Sequence, residues 1–182
     1  VTPSRDLINA FKKEGDEVRF KESVVYYDCS WSNYYPSDNY PFMYKCRSAN
    51  SSIIKYRYAD VLLLKAEALI MQDTPDLEGA ADIIDEVRDR AKLGALPTSV
   101  RSNKNVLLNA LLKERRLELA FEGQRWFDLV RLDKVEEVMN AVYAKDSGRK
   151  AQIYTFDKNS YRLPIPQSVI DANDKIHQNP GY

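Results

Sequence analysis

Three glutamates at helical spacing are the residues of this 182-residue sequence best placed for acid–base chemistry. They are Glu114, Glu118 and Glu122, in the stretch NVLLNALLKERRLELAFEGQRWFDLVRL (105–132). Side chains four apart on a helix are neighbours, so these carboxylates repel one another unless cations lie between them. Arg115 and Arg125 are placed to do that. We therefore predict an ion-paired network between packed helices, since a catalytic pair needs two pKa values pushed apart.

The helix that carries these charges is predicted to be packed on several sides. Apolar residues in 107–121 cover more than half of the helical wheel, and the glutamates fall inside that arc. An enzyme using Glu114 or Glu118 would need one of them accessible and unpaired. The sequence holds no phosphate loop, HExxH, GxSxG or CxxC motif. We predict a chain without catalytic residues, cofactor or metal site.

Four segments are predicted to form two helical hairpins of tetratricopeptide-like layout. A helix at 53–71 is apolar nearly all round, and Thr74 and Pro75 are expected to cap and open the next helix, at 76–92. The second pair comprises 103–122 and 124–142, joined at Gly123.

Shorter elements are predicted on either side of the hairpins. Ser4 is expected to cap a helix at 4–13 that Gly15 ends, and alternation in 18–27 indicates one strand or two short ones. Near the C-terminus, 152–156 and 161–165 predict a small β-hairpin, with a short helix after Pro166.

A tyrosine-rich stretch, YYDCSWSNYYPSDNYPFMY (26–44), is predicted to be a loop, because proline, asparagine, serine and aspartate at this density break regular structure. Flat aromatic rings can stack on a pyranose while neighbouring polar groups pair with its hydroxyls. The alternative is that the rings only pack the loop onto the rest of the protein. The candidate ligand-binding residues are Trp31, Asn33, Tyr34, Tyr35 and Asp38.

Composition excludes several classes of partner. Lys plus Arg equals Asp plus Glu, 27 each, so the net charge is zero and no global field attracts nucleic acid. The sequence shows no signal peptide and no apolar run of about 18 residues, so none of it is expected to enter a membrane. Cys29, Cys46 and the single histidine do not make a zinc site, and whether the two cysteines are bonded stays open.

Four segments resemble the SusD/RagB family, in the family's order. The segment KERRLELAFEGQRWFDLVR looks like the family's signature helix, and the chain ends on its usual QNPGY. The four segments span 53–69, 80–93, 113–131 and 161–182. The resemblance implies a mainly α-helical SusD-like superhelix of tetratricopeptide-like hairpins, with a few short strands and long loops.

The resemblance also implies a function. Family members are outer-membrane lipoproteins that capture a glycan or other nutrient and pass it to a SusC-like TonB-dependent transporter. They are anchored through an N-terminal cysteine, and this chain looks like their C-terminal portion, without the anchor. On that basis we expect one domain over 1–182: an aromatic, loop-rich part (1–52), the helical hairpins (53–142), and a short hairpin with the tail (143–182). The alternative function is a helical-repeat module that binds a peptide or partner protein.

Overall fold

The computed structural model of the chain describes residues 1–31, 35–45, 48, 54–145 and 155–182. It is mainly helical, as predicted. The helices are α1 (Arg5–Glu14), α2 (Glu17–Ser23), α3 (Tyr58–Met71), α4 (Leu77–Arg90), α5 (Thr98–Arg101), α6 (Lys104–Glu118), α7 (Gln124–Arg131), α8 (Val135–Lys145), a 3₁₀ helix (Lys158–Tyr161) and α9 (Gln167–Asp171). The strands β1 (Val24–Tyr27) and β2 (Tyr40–Met43) form an antiparallel ribbon.

The chain divides into two compact units, Val1–Arg125 and Trp126–Tyr182. In the first, α3 and α4 form the predicted antiparallel hairpin, and α6 packs against both. Their shared core contains residues that are 3% exposed or less: Leu63, Ala66, Ile70, Ala80, Ala81, Ile84, Val87, Leu107 and Leu111. A smaller cluster of Phe11, Leu117 and Ala120 ties α1 to the end of α6.

The second unit is held together by polar contacts as well as by packing. The side-chain amide of Asn140 accepts from the Phe156 backbone N–H and donates to the Phe156 carbonyl. The amide of Gln178 pairs with Ile165 in the same two-way manner. These bonds fasten α8 and the C-terminal tail to segments without regular structure.

Two predicted helix ends are confirmed in detail. The Ser4 hydroxyl accepts from the Leu7 backbone N–H, and Gly15 takes a left-handed conformation (φ 71°) that lets its N–H bond back to α1. The predicted short helix after Pro166 is α9.

Several predicted boundaries are wrong. Residues 17–23 form α2 rather than a strand, because Asp16 caps a helix there and accepts from the Arg19 N–H. The predicted loop 26–44 contains β2. Asp76, not Thr74, caps α4.

The long helical predictions are also shortened. The predicted helix from 53 begins at Tyr58, after an extended Arg57. The predicted helix 103–122 ends at Glu118, and Phe121 has a positive φ of 67°. The predicted helix 124–142 breaks at Asp133, whose φ is 53°. Residues 162–165 have no strand, so the second half of the predicted β-hairpin is wrong, and 152–154 lie outside the described residues.

Candidate functional site

The β ribbon gathers aromatic side chains on one face. Tyr27 lies directly opposite Tyr40, and Phe42 lies two residues along β2, so the three point the same way. The Phe42 ring centroid is 5.1 Å from that of Tyr40 and 6.2 Å from that of Tyr27. Trp31 packs on Tyr40 and Phe42, at 5.5 and 6.2 Å. We call Tyr27, Trp31, Tyr40 and Phe42 the aromatic platform.

The platform has a buried base and an exposed rim. Tyr40 is 2% exposed, whereas Trp31 is 72% and Tyr27 59% exposed. Trp31 packs on the buried Tyr40 and Tyr27 packs on Phe42, so these exposed side chains would lose little conformational entropy when a ligand binds. The platform is therefore a rigid, apolar surface open to solvent.

The predicted ligand-binding residues differ in their exposure and contacts. Trp31 and Asp38 are exposed. Tyr35 is a packing residue, because its hydroxyl donates to the Pro3 carbonyl at 3.0 Å and its ring lies between Tyr40 and the guanidinium of Arg5. Asn33 and Tyr34 lie outside the described residues.

Sequence reasoning missed Tyr27, Tyr40 and Phe42 as members of this surface. The signal was present as aromatic residues at alternate positions on either side of a turn (Tyr40 and Phe42 after Tyr27). This alternation did not lead to a strand prediction, because the prolines and asparagines around it favour a loop. Asn39, in a left-handed conformation, donates its N–H to the Asp28 carboxylate and shapes the turn before β2.

The three glutamates predicted to need cations are buried in an ion network. Glu114 accepts from Arg19 Nη1 at 2.6 Å and from Arg88 Nη1 at 3.3 Å. Glu118 accepts from Arg19 Nη1 at 3.0 Å, from Arg57 Nη1 at 2.6 Å, and from Arg90. All three glutamate side chains are 3% exposed or less.

Glu122 completes the network from the turn after α6. It accepts from Arg57 Nε at 2.7 Å and from the Lys45 ammonium at 2.5 Å. The cations thus come from α2, from the segments that precede α3 and follow β2, and from α4. Distant parts of the chain are joined by these glutamates.

The two arginines predicted as partners contact other parts of the chain as well. Arg115 donates to Asp60 at 2.8 Å, and both side chains are at most 3% exposed. Arg125 donates to the Leu112 carbonyl at 3.2 Å. Arg115 therefore joins α6 to α3, and Arg125 fastens the start of α7 to α6.

Burial and arginine contacts move the pKa values of neighbouring glutamates in opposite directions. Burial raises the pKa of Glu114, and its bonds to Arg19 and Arg88 offset only part of that effect. Burial acts the same way on Glu118, but hydrogen bonds from Arg57 and the other cations outweigh it and hold its pKa below the ordinary value. An acid–base pair requires pKa values shifted in opposite directions. Glu114, which would donate the proton, is however only 2% exposed and so is closed to a substrate.

A cavity of about 330 Å³ lies between the start of α3 and the second half of α4. Its lining combines apolar and charged residues: Arg57, Tyr58, Ala59, Leu62, Glu86, Val87 and Arg90. Tyr58 in the lining is 72% exposed, and α3 has further exposed apolar side chains in Val61 and Met71, each at 53%.

Within the described ranges, no group of three or more metal-ligating side chains comes together. Among those same residues, no helix has the length and hydropathy needed to cross a bilayer. Cys29 is a buried free thiol, and Cys46 lies outside the described residues.

Comparison with known proteins decides the family. The sequence profile of the SusD family matches residues 37–182. The chain belongs to the SusD family. Two curated relatives are from Formosa agariphila. SusD-like protein P2 is 36% identical over 143 residues, which cover 75% of this chain and 27% of that protein. SusD-like protein P38 is 43% identical over 99 residues, which cover 51% of this chain and 19% of that protein.

Solved SusD-like structures share the fold. A SusD superfamily protein from Bacteroides vulgatus matches with a TM-score of 0.74 at 22% identity, covering 100% of this chain and 44% of that one. A laminarin-binding SusD-like protein matches with a TM-score of 0.63 at 28% identity, covering 98% of this chain and 37% of that one. This chain therefore spans less than half the length of these relatives.

Proposed function

We propose that this chain is part of a SusD-type protein that captures a glycan and passes it to a SusC-like TonB-dependent transporter at the outer membrane. The observation that carries the proposal is membership of the SusD family over residues 37–182. Support comes from the 28% identical structure of a laminarin-binding SusD-like protein. We further propose that the whole protein is a lipoprotein of the outer membrane.

The aromatic platform is the proposed contact surface for the glycan. Trp31 and Tyr27 would stack on the apolar faces of sugar rings, and Asp38 with Asn33 and Tyr34 would pair with hydroxyls. Tyr35 would act by holding Tyr40 and the N-terminal segment in place. Affinity would come from burying flat apolar area on a rigid surface, and specificity from a few polar groups at its edge.

The proposed mechanism is reversible binding without catalysis. The carboxylates best spaced for acid–base work, Glu114 and Glu118, are buried and accept from arginines. Their role in this proposal is structural: they join α6 to α2, to α4 and to the segment before α3.

The test is a calorimetric titration of laminarin and a panel of other polysaccharides into the chain and two variants. Trp31→Ala removes the most exposed ring of the platform, and we expect affinity to fall at least about tenfold, as for a central aromatic contact. Tyr56→Ala removes a tyrosine that is 77% exposed and lies outside the ribbon, and it should leave affinity unchanged.

Equal affinities for the two variants would exclude the aromatic platform as the glycan site. Absence of binding to every polysaccharide in the panel would count against glycan capture by this chain. It would favour the second candidate function, a module that binds a peptide or partner protein. The 330 Å³ cavity and the exposed apolar residues of α3 are the observations that support this alternative.

A further inference from the structure

A second cavity, of about 190 Å³, lies beside the ion network and is distinct from the aromatic platform. Its wall carries four basic and two acidic side chains, together with Val18 and Ser23. The charged residues are Arg19, Glu22, Lys45, Arg57, Arg90 and Glu118. The basic groups come from four separate segments, so folding alone brings them around one space.

Charge alone does not define the ligand. Asp16, Glu114 and Glu122 stand behind the wall and neutralise the same cations, with Asp16 2.5 Å from Arg19 Nε. A ligand in this cavity would therefore be held by hydrogen-bond donors that the carboxylates leave unused.

Two arginines keep such donors. Arg19 Nη2 is buried and has no hydrogen-bond partner among the described residues, although Nε and Nη1 of the same guanidinium bond to carboxylates. Arg90 donates to Glu118 through Nη2, while its side chain is 61% exposed at the cavity mouth. Buried donors of native proteins are almost always satisfied, by protein, water or ligand.

Lys45 adds a third basic group at the wall. Among the described residues, its ammonium bonds to the Glu118 carbonyl at 2.6 Å and to the Glu122 carboxylate at 2.5 Å, which uses two of its three protons. Arg57, in contrast, directs each of its nitrogens at Glu118 or Glu122. Among the described residues, the unused donors thus belong to Arg19, Lys45 and Arg90, with one remaining N–H on Arg57 Nη1, and the group that matches them has only acceptors.

We propose that this cavity binds an oxyanion group, a carboxylate or a sulfate. Such groups accept charge-assisted hydrogen bonds from guanidinium and ammonium groups and carry no proton to compete. The open Arg90 side provides the entrance.

The oxyanion has two possible sources, a free ion or an acidic sugar. Ser23 and Lys45 flank the Val24–Met43 end of the β ribbon, whereas Tyr27 and Tyr40 lie at its other end, three residue steps or about 10 Å away. An acidic glycan could therefore reach both surfaces. This sugar-borne source rests on the proposed function, while the free-ion source stands on the cavity alone.

The test compares sodium sulfate, sodium glucuronate and glucose by calorimetry at matched ionic strength, on the unmodified chain and three variants. Arg90→Gln removes the entrance donor, and Val18→Glu places a carboxylate at the rim while every member of the network stays in place. Val18 is 44% exposed on α2, so this change is not expected to disturb the core. Arg162→Gln changes an exposed arginine in the other unit and is the matched control.

We expect sulfate and glucuronate to bind and glucose not to bind. Arg90→Gln and Val18→Glu should each weaken binding of both anions at least about tenfold, the worth of one charge-assisted hydrogen bond. Arg162→Gln should bind as the unmodified chain does. No binding of either anion, or equal binding by all four proteins, would overturn the proposal.

An acidic oligosaccharide distinguishes the two sources. If Trp31→Ala and Val18→Glu both weaken its binding, the oxyanion is sugar-borne. If Val18→Glu weakens the binding of free sulfate and glucuronate but not that of the acidic oligosaccharide, the site binds a free ion. Failure of every glycan, neutral or acidic, to bind would defeat the proposed function and leave the sulfate result standing.

Discussion

Glu118 is the residue on which most of the ion network depends. It accepts from Arg19, Arg57 and Arg90, which belong to three different segments. Removing one member of a buried ion pair leaves the other charge uncompensated, at a cost of about 3 to 5 kcal/mol. We therefore expect Glu118→Gln to lower the free energy of unfolding by that amount in urea titrations.

An exposed glutamate provides the matched control. Glu17 lies 3.5 Å from Lys21, and both side chains are 73% exposed. Exposed pairs of this kind contribute little, so Glu17→Gln should change the free energy of unfolding by no more than about 0.5 kcal/mol. Equal effects of the two substitutions would contradict a structural role for the network.

The free energy of unfolding should depend on pH through the titration of Glu118. Its pKa lies below the ordinary value of 4.5 in the folded chain. A carboxyl whose folded pKa is lowered stabilises the protein above its unfolded pKa, and this contribution is lost as pH falls through the folded pKa. The difference in unfolding free energy between the unmodified chain and Glu118→Gln should be constant near neutral pH and shrink below pH 4.5.

Urea titrations of both proteins across that range provide the measurement. Glu114 responds in the opposite sense, because its raised pKa means that burial of its charge is relieved on acidification. Because Glu114 shares Arg19 Nη1 with Glu118, the comparison is repeated in a Glu114→Gln background, which removes the titration of Glu114. A difference that stays constant at acid pH would show that Glu118 is not held ionised by its arginines.

For single residues, the sequence identified which glutamates need cationic partners but not which cations pair with them. Three glutamates in an apolar arc require cations, and that much follows from a helical wheel. Arg19 lies 95 positions from Glu114, and Arg57 lies 61 positions from Glu118. Local spacing favours Arg115, which the fold instead brings to Asp60.

Helices whose ends carry local signals were predicted well, and those whose ends depend on tertiary contacts were not. Ser4 and Gly15 specify α1 through their own side chain or conformational freedom. The start of α3, in contrast, is set by Arg57, which stays extended while its guanidinium reaches Glu118 and Glu122. No residue near 53 signals that requirement. The same limit applies to β2, whose partner strand lies across a turn rich in strand-breaking residues.

The Gly15→Ala substitution tests how much the end of α1 depends on backbone conformation, and Gly94→Ala is its control. At Gly15, φ is +71° and an added Cβ would meet no atom within 4 Å, so Gly15→Ala introduces only backbone strain. We expect a loss of about 1 to 2 kcal/mol in thermal or urea unfolding. Gly94 is equally open but does not have a positive φ, and Gly94→Ala should be neutral or stabilise by about 0.4 to 1 kcal/mol. Similar losses at both positions would argue that the Gly15 turn is not what ends the helix.

On the scale of the whole molecule, the chain has no net charge, yet its charges are unevenly placed. The aromatic platform is apolar, whereas the 190 Å³ cavity is lined by six charged side chains, of which Arg90 is 61% exposed. Ligand binding at the two surfaces should therefore depend differently on salt, because stacking involves no ionic attraction and exposed cations are screened.

Salt dependence thus separates the two proposed sites without any substitution. Affinity for a neutral polysaccharide such as laminarin should be the same at low and at physiological ionic strength, since an uncharged ligand has no charge–charge attraction for salt to screen. Affinity for glucuronate should fall severalfold over the same range, because Arg90 at the entrance is 61% exposed and its field is screened within about 10 Å. Calorimetric titrations at the two salt concentrations make the comparison. Neutral-glycan binding that weakens with salt would mean that charged groups contribute at the platform, and glucuronate binding that does not weaken would place the anion away from the Arg90 entrance.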